Sequence, residues 1–208
     1  MLRIRNYISA GLTFLLGCAG AWAQADFSAD IANLSAASNT FHTKIFSTKD
    51  KLRFQGEDRS GRTNSIMIVD LSKRTSIVLM PQQKQYIESD KPQIPGQGVT
   101  FFQAKDVEDA CGDWRAFSHY EKGKCKKVGH ETVNGRDTVR YEVAPGQGKT
   151  GPIWMDAKLQ FPVKWQSAVA GGELRNIQEA PQAAELFQIP SGYTKRSLST
   201  AKKPTPQP

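Results

Sequence analysis

A mainly β fold, an antiparallel sheet of short strands with a helix laid across it, is predicted by three observations. Strand-like segments separated by tight turns recur from Lys51 to the C-terminal region. Asn134-Gly135 lies between two alternating segments and marks a two-residue hairpin. One segment, Asp106 to Tyr120, carries a helical rather than a strand period.

Phe27 to Leu34 fits either period, and the meander that follows favours a strand. Lys51-Leu52-Arg53-Phe54-Gln55 alternates polar and apolar, the pattern of a half-buried strand. Ser65 to Leu71 and Thr75 to Met80 are nearly continuous apolar runs joined by a Ser72-Lys73-Arg74 turn. Runs of that kind are buried on both faces, so something must pack on each side of the sheet there. Gln85 to Glu88 extends this meander.

The second meander begins at Gly129 to Val133 and returns through Arg136 to Val143, where Val139, Tyr141 and Val143 alternate with Thr138, Arg140 and Glu142. Strands follow at Ile153 to Asp156, Phe161 to Val169 and Glu173 to Glu179, with Gly171-Gly172 read as the last turn. Phe187 to Ile189 is expected to be a short closing strand. For the helix, Asp106 is a suitable cap, and Val107, Ala110, Cys111, Trp114 and Phe117 share one face. Two stretches rich in Pro and Gly, Ser89 to Thr100 and Ala144 to Pro152, read as loops.

The first 23 residues read as an export signal. Arg3 and Arg5 precede an apolar run from Tyr7 to Gly17, and Ala21-Trp22-Ala23 has the small-x-small form cleaved after Ala23. That run is shorter than the roughly 20 apolar residues a bilayer span needs. Leu15-Leu16-Gly17-Cys18 allows a second reading, a lipoprotein box with Cys18 acylated. Residues 24–195 would then form one domain and 196–208 a disordered tail. The expected location is the periplasm or the exterior, or a membrane anchor through Cys18.

The net charge is +8, or +6 once the two arginines of the signal are removed. The cations are dispersed rather than gathered into a stripe with interleaved aromatics, which argues against nucleic acid as a partner. An attraction to an anionic membrane surface remains compatible with that charge. Apart from Cys18, the chain has Cys111 and Cys125, an even pair that reads as a disulfide in an oxidising compartment. A metal site is the rival, but no second cysteine pair or spaced histidine joins them.

Candidate catalytic and cofactor motifs lack the residues their chemistry requires. Gly148-Lys149-Thr150 resembles the end of a phosphate-binding loop, but Val143 stands where its first glycine is needed. His130-Glu131 lacks the second histidine of a zinc-protease pair, because Asn134 occupies that place. His42, His119 and His130 form no recognisable group with a nucleophile. No metal, no cofactor and no catalytic residue is expected.

Apolar and aromatic side chains spread over successive strands are the remaining signal. Such residues line the core of any sheet, and on the concave face of a curved one they also line a cavity suited to an acyl chain. Four motifs resemble those of a family of exported bacterial proteins similar to the LolA-like periplasmic lipoprotein carriers. They are Met80 to Tyr86 (MPQQKQY), Cys125 to Arg136, Ile153 to Asp156 with Phe161 to Trp165, and Phe187 to Tyr193. The likeness spans about Phe27 to Tyr193. It implies an unclosed half-barrel whose concave face is covered by one or two short helices and accepts acyl chains. The carriers' Arg-Pro pair before the strand at Leu52–Phe54 is replaced here by Lys49-Asp50, so their lid mechanism does not transfer.

On this reading the apolar face is lined by Phe41, Leu52, Phe54, Ile68, Leu79, Tyr141, Trp154 and Trp165. The expected function is that of an exported, non-enzymatic protein binding a lipid, acyl chain or lipidated protein there. The alternative is a structural or protein-interaction component of the envelope whose core is filled by its own side chains.

Overall fold

The computed structural model describes residues 25–34, 42–90, 101–118, 122–144, 151–167 and 171–197 of the 208-residue chain. The signal segment with Cys18 and Ala23, and also Phe41 and His119, lie outside the described residues.

Twelve strands form one sheet among the described residues. The first meander runs β1 (Phe27–Asn33), β2 (His42–Ser47), β3 (Lys51–Glu57), β4 (Thr63–Asp70), β5 (Thr75–Met80) and β6 (Gln85–Ser89). The helix α1 (Cys111–Ser118) follows, then the second meander: β7 (Lys124–Val133), β8 (Arg136–Ala144), β9 (Gly151–Asp156), β10 (Phe161–Gln166) and β11 (Gly171–Glu179). A two-residue β12 (Thr194–Lys195) ends the sheet. The order is β12-β6-β5-β4-β3-β2-β1-β11-β10-β9-β8-β7, so antiparallel β1 and β11 join the meanders. The two ends of the sheet do not pair, and the architecture is the unclosed half-barrel expected from the sequence.

Turn chemistry accounts for the hairpins. Asn134 and Gly135 both have positive φ, 49° and 76°, as a type I′ turn requires. At the β4–β5 turn the Asp70 carboxylate accepts from the Ser72 hydroxyl (2.7 Å) and the Lys73 amide (2.8 Å). Register shifts interrupt the β1–β11, β9–β10 and β7–β8 pairs. Bulges of this kind bend a strand and sharpen its twist, which curves the sheet around its inner face.

Two expectations are corrected. Gly171 and Gly172 lie inside β11, opposite Gln166 and Trp165, rather than in a turn. A side chain cannot stand at Gly172, because a Cβ there would lie 2.3 Å from Cζ2 of Trp165. The closing strand is not Phe187 to Ile189. Ala184–Phe187 is a 3-10 turn, and the edge is closed by β12, parallel to β6.

The strand period sorts the core onto two faces. The inner cluster holds Phe27, Ile31, Ile45, Leu52, Phe54, Met67, Val69, Tyr141, Met155, Phe161, Trp165 and Leu174, together with residues 101–114. A smaller outer cluster of Ile66, Ile68 and Leu79 is covered by Phe187 and its neighbours. The doubly buried runs in β4 and β5 are thereby explained. The covering helix starts later than Asp106: Asp106 caps a 3-10 turn, Val107–Asp109, by accepting from the Glu108 amide (2.8 Å), and α1 follows.

Replacing Gly172 by alanine forces the Trp165 ring off the sheet. It is expected to destabilise the fold by about 1–3 kcal/mol, read as a lowered urea midpoint with an unchanged m-value.

Candidate functional site: the covered inner face

The candidate site is the inner face of the half-barrel, and residues 101–118 lie on it. Phe101 is fully buried. Its ring stacks on Phe161 at 5.7 Å, meets Trp165 edge-on at 4.9 Å and tilts against Phe54 at 5.3 Å. Phe161 in turn meets Phe27 edge-on at 5.4 Å, so one aromatic chain crosses from β3 through the covering segment to β10 and β1. Phe102, Ala104, Val107, Ala110 and Trp114 complete the filling.

Polar ties hold this segment in register. The Ala104 amide donates to the Gln160 carbonyl at 2.9 Å, and the Gln103 side chain donates to the Thr48 carbonyl at 2.8 Å. Tyr141, on β8, reaches the junction between the 3-10 turn and α1. Its buried hydroxyl donates to the Val107 carbonyl (2.6 Å) and accepts from the Ala110 amide (3.1 Å). Burial, partly offset by the Ala110 amide, pushes the Tyr141 phenol up from its ordinary pKa. The Cys111–Cys125 disulfide then links the start of α1 to the edge strand β7. In the chain-entropy model a loop of this separation, 14 residues, stabilises by about 3 kcal/mol. Outside the disulfide, the Glu108 carboxylate pairs with Lys127 and stands 3.5 Å from His130 Nε2.

The eight residues expected on the apolar face divide. Leu52, Phe54, Tyr141 and Trp165 are on the inner face. Ile68 and Leu79 face the other way, into the outer cluster. Trp154 also differs: its ring lies between Arg140 (5.5 Å) and Lys164 (4.8 Å), and its N–H donates to Glu131 Oε2 at 2.6 Å. Those are outer-face neighbours, as the alternation with Ile153 and Met155 demands. Sequence reading missed Phe101 and Phe102. Two adjacent aromatics ending a Pro- and Gly-rich loop were the available signal.

Charged groups on the outer face satisfy one another. Arg136 donates to Asp156 and Glu179, and Lys158 also pairs with Glu179. Those bonds, Lys158 first and Arg136 second, hold the Glu179 carboxyl below its usual range. A cleft of about 450 Å³ beside them is lined by Asn134, Arg136, Glu173, Arg175 and Asn176, with both arginines ion-paired. Among the described residues no group of three or more His, Cys, Asp or Glu could hold a metal, and no helix is long and apolar enough to cross a membrane. His42 and His130 are exposed on strands.

No family model matches the chain, and no curated protein matches it. Its likeness is one of fold. An uncharacterised conserved protein of Thermus thermophilus superposes with a TM-score of 0.52 over 84% of this chain and 93% of that one, at 7% identity. PNGF-II superposes at 0.51 with 8% identity, over 83% of this chain and 31% of its own length. The MucA/MucB complex of Pseudomonas aeruginosa follows at 0.46 and 14% identity, covering 79% of this chain and 56% of that one. A putative outer membrane lipoprotein-sorting protein domain from Vibrio parahaemolyticus scores 0.35 at 12% identity, over 81% and 90% of the two chains. The open half-barrel with its inner face covered, expected from the sequence, is the fold observed.

Two outcomes follow from this geometry. Tyr141→Phe leaves a buried carbonyl and a buried amide without their partner and should cost about 1–3 kcal/mol, with earlier hydrogen exchange over 107–118 as the accompanying readout. Glu179 is depressed in the fold, so its contribution is present above the unfolded carboxylate pKa and is lost as pH falls through the lower folded value. Glu179→Gln should therefore flatten the acid limb of a stability-versus-pH curve and leave the neutral-to-alkaline limb unchanged in shape.

Proposed function

We propose that this is an exported, non-enzymatic component of the cell envelope that acts by binding another envelope protein, its half-barrel being filled from within. The observation that supports this reading is the seating of residues 101–114 on the inner face, with Phe101 sealed between Phe54, Phe161 and Trp165. A face already filled to that extent offers no open receptacle, which moves the expected binding surface to the exterior. The basic, apolar and small-residue order of the first 23 residues supports export, with cleavage after Ala23 giving a soluble form and acylation of Cys18 a tethered one. An intact mass of the mature N-terminus separates these.

One detail favours a carrier of acyl chains as the second reading. The indole N–H of Trp165 is buried beside Phe101 without a hydrogen-bond acceptor among the described residues. Buried donors are normally paired, and the carbonyl of a bound lipid would supply an acceptor if Phe101 moved aside.

Native mass spectrometry of protein purified from its own envelope, with titration of a fluorescent fatty acid, tests the choice. The expected result is no co-purified lipid and no saturable probe binding, both for the native chain and for the paired Cys111→Ser, Cys125→Ser variant. Saturable binding that Phe101→Trp abolishes would establish the carrier reading instead.

A further inference from the structure

Among the described residues, the outer face of β3–β6 is covered by the chain's own C-terminal strap. Ile66, Ile68 and Leu79 form an apolar floor, Phe187 is seated on it, and Ile189 and Tyr193 pack beside. The strap then joins the sheet edge by a short parallel pairing, in which the Thr194 amide donates to Lys84 O (3.0 Å) and the Arg196 amide to Tyr86 O (2.8 Å). An extended segment thus reads this groove through apolar anchors and backbone bonds, the way a strand added to a sheet edge is recognised.

Arg53 lies beneath the strap and is 8% exposed. Its guanidinium donates to the Leu186 carbonyl (2.7 Å) and to Gln55 Oε1 (2.9 Å), while its Nε has no partner among the described residues. Arg136 and Arg140, which are more exposed, each pair with two carboxylates. Among the described residues Arg53 is in no ion pair, although a buried charge is ordinarily matched by an opposite one. Burial lowers its pKa for the same reason. The strap satisfies the groove's apolar floor and its edge, but leaves its charge unmatched.

We propose that this groove is a docking site for an extended acidic segment of a partner protein, which displaces residues 184–197, pairs with β6 and sets a carboxylate against Arg53. This rests on the protein-binding reading above and gives it a surface and a chemical class of partner. Displacement needs no refolding of the sheet, because the strap is joined to β11 through the exposed residues Ala180, Pro181 and Ala183.

The test uses the full mature chain and two labelled peptides copying residues 184–197, one unaltered and one with Leu186→Glu, the residue whose carbonyl Arg53 now holds. Saturable binding of the acidic peptide, at least about tenfold tighter than the unaltered one and lost in Arg53→Met, is the expected result. Circular dichroism checks that Arg53→Met stays folded, since the substitution also removes the donor to the Leu186 carbonyl and to Gln55 Oε1. Equal binding by Arg53→Met, or no binding of the acidic peptide to the unaltered chain, overturns the inference. Saturable fatty-acid binding bears on the function instead, because it defeats the protein-binding reading whatever the peptides do.

Discussion

An unclosed sheet has an inner face that must be covered, and the seating of Phe101 is the interaction on which the rest of this structure depends. The ring touches three others drawn from β3 and β10, and through Phe161 it is coupled to Phe27 on β1. Those strands lie on both sides of the β1–β11 pair that joins the two meanders. A single side chain from the covering segment therefore bridges both halves of the sheet. Burying a phenylalanine in this way is worth about 3–5 kcal/mol judged by its removal, a large share of the 5–15 kcal/mol by which domains of this size are usually stable. The Tyr141 hydroxyl and the Cys111–Cys125 bond add precision at the other end of the segment.

The outer face solves the same problem differently in its two halves. Over β3–β6 it is apolar and hidden by the C-terminal strap. Over β7–β11 it is polar instead, with ion-pair networks around the buried Asp156 and the Arg140–Trp154–Lys164 stack. The exposed pairs among them, such as Arg140 with Glu131, contribute little each. The free edge at β7 is protected: Lys124, Lys126 and Lys127 lie along it, and a register shift at Val128 breaks its pairing line.

Much of the fold was legible because period and turn chemistry act locally. The Asn134-Gly135 hairpin, the β4–β5 turn and the disulfide needed nothing beyond nearby residues and the compartment. Which face a residue serves was legible only where alternation is strict. Tyr141 and Phe54 sit in alternating segments and fell on the inner face; Ile68 and Leu79 sit in continuous apolar runs, where parity carries no sign, and fell on the outer. Gly171-Gly172 read as a turn because a glycine pair is cheapest there. The Trp165 ring that requires a bare backbone at Gly172 is a tertiary fact, invisible along the chain. Phe101 and Phe102 follow the Pro- and Gly-rich stretch directly and carry no strand or helix period of their own, so nothing along the chain assigns them to the core.

Magnitudes also say where the covering segment can yield. An acyl chain of about ten methylenes, at ~0.8 kcal/mol each, would release roughly 8 kcal/mol on burial. That exceeds the ~3–5 kcal/mol of the Phe101 contact together with ~1 kcal/mol for each hydrogen bond at Gln103 and Ala104. It cannot break a covalent bond, and Cys111 is bonded to Cys125. Any apolar guest would therefore lift the segment from its Phe101 end, with α1 still held at β7. The helix is then the hinge of the cover rather than its moving part, the reverse of what its position across the sheet implies at first sight.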